Sequence, residues 1–171
     1  SLLSPSLVIR CLLIYMSNPQ SPTSPQFDVI TFGECMLRFS PPAGQMLEQA
    51  DQLRVDPAGT ESNIAVALAR LGRRVSWFSL LPDTPLGRWI TTRLDSHGVD
   101  VSHVIWTGDR VGVFFLEPGT PPRGSRVVYD RADAAVSFLK KDIVDWDIFA
   151  NARIVHTTGI TAALSVSCRI F

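Results

Sequence analysis

Apolar and polar positions alternate in blocks along this chain. Residues 27–34, FDVITFGE, form an apolar run closed by a glycine and an acid, the pattern of a buried strand. MLRFSPP (36–42) continues extended and stops at a double proline. In SNIAVALARL (62–71), Ile64, Ala67, Leu68 and Leu71 fall on one helical face, and Gly72 stands where a C-terminal cap belongs. RVSWFSLL (74–81) predicts the next strand. Thr84 followed by Pro85 is an N-cap and first-turn pair, opening a helix that runs to about His97 and ends at Gly98. VDVSHVIW (99–106) predicts a third strand. VGVFFLEPG (111–119) and SRVVYDR (125–131) predict two strands joined by a Gly/Pro-rich loop. Residues 136–152 read as helix, and RIVHTTGI (153–160) as a last strand with small polar residues at its exit.

Strands that alternate with helices predict an α/β fold built on a mostly parallel sheet. The paired segments of 111–131 break that rhythm, and so predict a lid or flap outside the main sheet. The sequence ends soon after the last strand, at ALSVSCRIF, with no helix to return over the sheet. A parallel sheet wants both faces covered, so the expectation is a chain cut short, poorly soluble when expressed alone.

Composition narrows the function classes. A chain of 171 residues with 46% hydrophobic and 19% charged residues is globular, with room for one domain and a real core. Sixteen basic residues balance sixteen acidic ones, so nothing favours a nucleic-acid backbone as partner. Cys11, Cys35 and Cys168 are scattered and odd in number, which points to a reducing, cytoplasmic setting rather than a disulfide frame or zinc site. The first 26 residues read as a disordered leader. SLLSPSLVIRCLLIY is interrupted by Arg10 and is too short to span a bilayer, and the first methionine is Met16, so residues 1–15 are expected to be untranslated upstream sequence. Residues 27–171 form the folded part.

The chemistry concentrates in two stretches. In DPAGTESN (56–63) a helix start offers free N–H groups and a partial positive charge, Gly59 admits close approach to the backbone, and Asn63 adds a donor and an acceptor. Two readings stand: a turn capped by Ser62, or a docking place for sugar hydroxyls or an anion. No Gly-Lys-Ser/Thr follows, and the first strand leads into GECMLR rather than G-x-G-x-x-G, which excludes a P-loop and a dinucleotide fingerprint. In RVVYDRADAA, Tyr129 and Arg131 share a strand face, and together suit a carboxylate; a solvated arginine on an edge strand fits the spacing equally. Phe114 and Phe115 either close over a ligand or pack as core. Glu34, at a strand end, either contacts a ligand or caps a turn. His97, His103 and His156 have no triad or ligand spacing, and the four tryptophans read as core.

In their order, GECMLRFSP, AGTESNIAVALARLG, LPDTPLG, GVDVSHV, YDRADAA and HTTGITAALS resemble the N-terminal half of the ribokinase-like (PfkB) carbohydrate kinases, above all the 2-keto-3-deoxygluconate kinases, over residues 28 to about 165. The resemblance implies a Rossmann-like ribokinase fold, with helices on both faces of the sheet and a small β lid near 36–41 and 111–131. It implies transfer of the ATP γ-phosphoryl group, with Mg²⁺, to a small sugar acid, 2-keto-3-deoxygluconate, and homo-oligomers formed through the lid. By matching position, Gly59 and Asn63 would contact the sugar, and Tyr129 and Arg131 the sugar acid and its carboxylate; Phe114 falls at a further site position, and Glu34 joins the candidates from its place at the strand end. Phe114 stands where such kinases have Tyr, Ala58 where they have a first Gly, Pro82 where a Gly is usual, and Thr84 where a second acid is common. Their Gly-Ala-Gly-Asp segment, with the general-base Asp, and their ATP site lie in a C-terminal half that is absent from these 171 residues. This chain alone is therefore expected to be inactive. The alternatives are a non-catalytic sugar-acid-binding remnant and a relative acting on fructose, ribose or a nucleoside.

Overall fold

The computed structural model describes the backbone of residues 11–15 and residues 25–163. Three apolar runs become parallel neighbours in one sheet: β2 (Phe27–Phe32), β5 (Val75–Phe78) and β11 (Ala152–Thr158). With β1 (Cys11–Tyr15) and β7 (Val99–Asp100) they make a five-stranded sheet in the order β1-β11-β2-β5-β7. The strand β1 is antiparallel to β11 and lies inside the stretch expected to be a disordered leader. An open edge of β11 presents unpaired N–H and C=O groups, and an apolar extended segment satisfies them. Residues 1–10 and 16–24 of that leader lie outside the described residues.

Alternation of side chains along β2 and β5 separates two cores. Ile30, Phe32 and Phe78 face Leu139, Val144, Ile148 and Phe149. Val29, Val75 and Trp77 face the opposite side, toward Ala65 of α1 (Thr60–Arg70) and Ile90 and Leu94 of α2 (Pro85–Asp95). Both faces of β2 and β5 are thus covered, so the uncovered face expected from the missing helix after the last strand is not found there: residues 135–149 supply the cover instead. The Thr84 hydroxyl accepts a hydrogen bond from the Gly87 N–H at 3.3 Å, so the predicted cap is formed. Gly72 and Gly98 take φ of +77° and +83°, the left-handed conformation that ends a helix.

A second sheet of four strands, in the order β10-β9-β3-β4, forms the lid. It joins β3 (Met36–Ser40), β9 (Val113–Glu117) and β10 (Arg126–Asp130) to β4 (Arg54–Ala58). The strand β4 was not anticipated: RVDPA carries a proline and an aspartate, both poor strand formers. Its place at the sheet edge resolves the conflict, because an edge strand tolerates Pro57.

Three expectations need correction. The helix expected over 136–152 is two 3-10 turns, Ala135–Phe138 and Lys141–Ile143, followed by the short α3 (Asp147–Ala150). Leu139 and Val144 adopt extended backbone between them (ψ 128° and 123°), which lets successive apolar side chains reach one core that a continuous helix would not present to the sheet. The strand expected over 99–106 is two short pieces, β7 and β8 (Ile105–Trp106); β8 pairs with β6 (Leu80–Leu81), itself split from β5. Trp146 is 41% exposed rather than core.

Candidate functional site

The sharp connection Gly33–Glu34–Cys35 passes from the core sheet into the lid, and α1 starts beside it. A side chain at Gly59 would put its Cβ 2.1 Å from the Glu34 carbonyl oxygen, so glycine is needed for this close approach. Gly59 is also the N-cap of α1, while the Ser62 hydroxyl donates to the Gly59 carbonyl at 3.1 Å. Ser62 is therefore not the cap. Glu61, 2% exposed, ties this helix start to the end of β11: its Oε1 accepts from the Thr158 N–H at 2.9 Å and from the Thr158 and Thr161 hydroxyls at 2.6 and 3.2 Å.

Register places the lid residues. Asp56, Arg38, Phe114 and Tyr129 are cross-strand partners through all four strands, so they form one row on one face. Along that row Arg38 Nη2 donates to Asp56 at 2.8 Å, and the Phe114 and Tyr129 rings lie 5.6 Å apart. The next row, Val55, Phe39, Phe115 and Val128, faces the other way, where Phe115 stacks on Phe39. Of the two adjacent phenylalanines, Phe114 alone joins the cleft.

Between the lid and the start of α1 lies a cavity of about 270 Å³. Glu34, Gly59, Asn63, Phe114, Tyr129 and Arg131 all line it. Residues up to 97 positions apart in sequence are brought together, as in the ion pair between Arg131 Nη2 and Glu34 Oε2. Glu34 is 6% exposed; burial pushes its carboxyl above the usual carboxylate range, and the Arg131 guanidinium opposes that push. Burial also raises the neighbouring Cys35 thiol to about 12, leaving it neutral.

Three buried polar atoms at this cleft have no hydrogen-bond partner among the described residues: Glu34 Oε1, Arg131 Nε and Arg38 Nε. Buried polar groups are normally satisfied, and an acceptor and two donors left over around one cavity fit a polar ligand. Arg38 and Glu61 also line the cavity and were not singled out from sequence. The i, i+2 alternation of Met36 and Arg38 was a usable signal for the first. For Glu61 there was none, because its partners lie 97 and 100 residues away.

His103 packs edge-on against Phe27, and neither it nor His97 or His156 lines this cavity. Among the described residues no cluster of three or more His, Cys, Asp or Glu side chains is placed to hold a metal ion. No helix among them is long and apolar enough to cross a membrane.

Comparison with known proteins gives a consistent result. The model of the pfkB family of carbohydrate kinases matches residues 26–170. A 2-dehydro-3-deoxygalactonokinase of Haloferax volcanii is 48% identical over 143 residues, covering 83% of this chain and 45% of that protein. A 2-dehydro-3-deoxygluconokinase of Bacillus subtilis is 36% identical over 147 residues, covering 85% of this chain and 45% of that protein. The crystal structure of 2-dehydro-3-deoxygluconokinase from Thermotoga maritima superposes with a TM-score of 0.71 at 41% identity, over 73% of this chain and 39% of that one. The chain thus spans about half the length of the curated relatives it matches.

Proposed function

The chain belongs to the pfkB family of carbohydrate kinases, and from that premise we propose that its cleft is the sugar-acid site of an ATP-dependent kinase phosphorylating 2-keto-3-deoxygluconate or its galacto epimer. The observation that carries this reading is the convergence of Gly59, Asn63, Tyr129 and Arg131 on one cavity that holds unsatisfied buried donors and an acceptor. Relatives named for the two epimeric sugar acids support it.

In this mechanism Asn63 and the N–H groups at the start of α1 hold sugar hydroxyls. Arg131 meets the carboxylate, and Tyr129 offers its hydroxyl beside it. Phe114 and Leu116 close the apolar side and exclude water. ATP with Mg²⁺ supplies the phosphoryl group when bound. The family's general-base Asp belongs to a segment that these residues do not include, so the part of the reaction performed here is binding and orientation. Phosphoryl transfer depends chiefly on such positioning.

The test is Arg131→Ala, with affinities for 2-keto-3-deoxygluconate and a neutral hexose measured by calorimetry. Loss of a charge-assisted hydrogen bond predicts roughly 10- to 100-fold weaker binding of the acid, with little change for the hexose. Equal losses for both would reject the carboxylate role. One observation favours a second reading, a neutral sugar such as fructose or ribose. Arg131 already carries a counter-ion in Glu34, so the pair offers no net charge to an anion.

A further inference from the structure

The Glu34–Arg131 pair raises a question of charge that the sugar-acid reading leaves open. The cavity is lined by two arginines, Arg38 and Arg131, and two glutamates, Glu34 and Glu61. It is formally neutral before any ligand arrives. A sugar acid adds one negative charge to a confined space, and its carboxylate competes with Glu34 for the same guanidinium. Three buried carboxylates would then share two arginines, one of which, Arg38, is already engaged by Asp56. Like charges at this depth are costly unless one is neutralised.

The surroundings identify which glutamate gives way. Glu61 Oε1 accepts hydrogen bonds from one backbone N–H and two hydroxyls, so this side chain is tied into the fold and is not free to turn to a ligand. Glu34 has a single charged partner, and its Oε1 is buried without any donor among the described residues. That oxygen sits against the backbone at Gly112, where an added Cβ would approach to 2.7 Å. The other charged and titratable groups around Glu34 are Arg38 on β3, Glu61 on α1, Tyr129 on β10 and the neutral Cys35 thiol next in sequence. Arg38 is the one further cation among them, and its Nη2 is held by Asp56.

We propose that Glu34 is the charge-balancing group of this cleft: when a sugar acid takes Arg131, Glu34 gives up the guanidinium, binds a proton from solvent and remains as a neutral hydrogen-bond donor facing the ligand. Sugar-acid binding is then coupled to uptake of one proton, while binding of a neutral sugar, which leaves the ion pair closed, is not. Glu34 thereby sets which ligand charge the cleft accepts at a given pH. Burial already biases its carboxyl toward the protonated form. The sign follows by linkage. The liganded form binds the extra proton, so affinity for the acid rises as pH falls, by up to about tenfold per pH unit between the free-state and ligand-bound values of Glu34. It levels off on either side.

This inference rests on the sugar-acid reading, and the experiment separates the two. The chain, first shown by a cooperative melt to be folded, is titrated with 2-keto-3-deoxygluconate, and in parallel with fructose, between pH about 5 and about 8, in pairs of buffers with different ionisation enthalpies. The expected result is proton uptake approaching one per acid bound, none with fructose, and loss of both uptake and pH dependence in Glu34→Gln. Binding of the acid without uptake, or equal uptake in Glu34→Gln, overturns the proposal and leaves the sugar-acid reading intact. Failure to bind the acid at every pH overturns that reading and the proposal with it. A carboxyl-carbon NMR titration of the unsubstituted chain provides a readout independent of whether Glu34→Gln folds. The Glu34 signal must move to its protonated position when the acid is added, and a signal that stays ionised overturns the coupling.

Discussion

The two sheets of this protein are held together by different physics. The parallel sheet is a sandwich filling: β2 and β5 are buried on both sides, and Ile30, Trp77 and Val75 are nearly inaccessible. The lid is half-buried on β9 and exposed on β10. Leu37 on β3 and its neighbours join the core; elsewhere the cross-strand pairs Arg38 with Asp56 and Phe39 on Phe115, and the loop residues Arg110 with Asp130 and Arg123 with Glu117, hold the lid. Burial of apolar area gives the first sheet its stability and rigidity. Surface ion pairs give the second register and charge placement at little net stabilisation. The candidate site lies where the two meet, taking its backbone cradle from the rigid part and its charges from the softer one.

Substitutions in the two regions should therefore differ sharply. Trp77→Ala empties a fully buried indole site in the parallel sheet and is expected to cost about 3–5 kcal/mol in chemical denaturation, enough to unfold a marginal domain. A loss below about 1 kcal/mol would mean that the core reading of this sheet is wrong. Glu61→Ala acts at the junction. It strands the Thr158 N–H and two hydroxyls, and is expected to cost about 3 kcal/mol and to weaken ligand binding through displacement of the α1 start. A stable variant with unchanged binding would show that this tether does not position the site. Asp56→Asn, in the lid, is expected to cost under about 1 kcal/mol near neutral pH.

The pH dependence sharpens the contrast further. Hydrogen bonding from Arg38, helped by Arg54, holds Asp56 below the ordinary aspartate range. Its contribution to stability is present above that ordinary value and is lost as pH falls through the lowered one. Glu34 has the opposite sign: its carboxyl is raised, so its ionisation lowers stability as pH rises above the ordinary glutamate value. Melting curves across acid pH should show a shallower acid limb in Asp56→Asn than in the parent. In Glu34→Gln the decline on the neutral side should disappear. Parallel curves for all three proteins would contradict both assignments.

Much of the fold was legible because its signals are local. The apolar runs expected at 27–34 and 74–81 give strands at Phe27–Phe32 and Val75–Phe78, the second breaking before Leu80, and the Thr84-Pro85 cap and the glycines at 72 and 98 form as anticipated, because each acts within a few residues. The six candidate residues could be named from their types and spacing, and all six line one cleft. What failed were β4 with its proline, residues 136–152, where a helical pattern yields to the demands of packing, the strand over 99–106, which is two short pieces, and the leader, which holds β1.

By itself the sequence determined the alternation of strands and helices, the neutral charge balance and the residue types available for recognition, because periodicity, capping and composition are properties of neighbours. Only the tertiary structure decided that Gly59 serves a close backbone approach as much as any ligand, that Phe115 turns away from the cleft while Phe114 enters it, and that Arg131 meets Glu34. Those outcomes depend on strand register and on contacts across nearly 100 residues. Such contacts have no local signature, because the free energy that selects them comes from burial and charge pairing in the assembled fold.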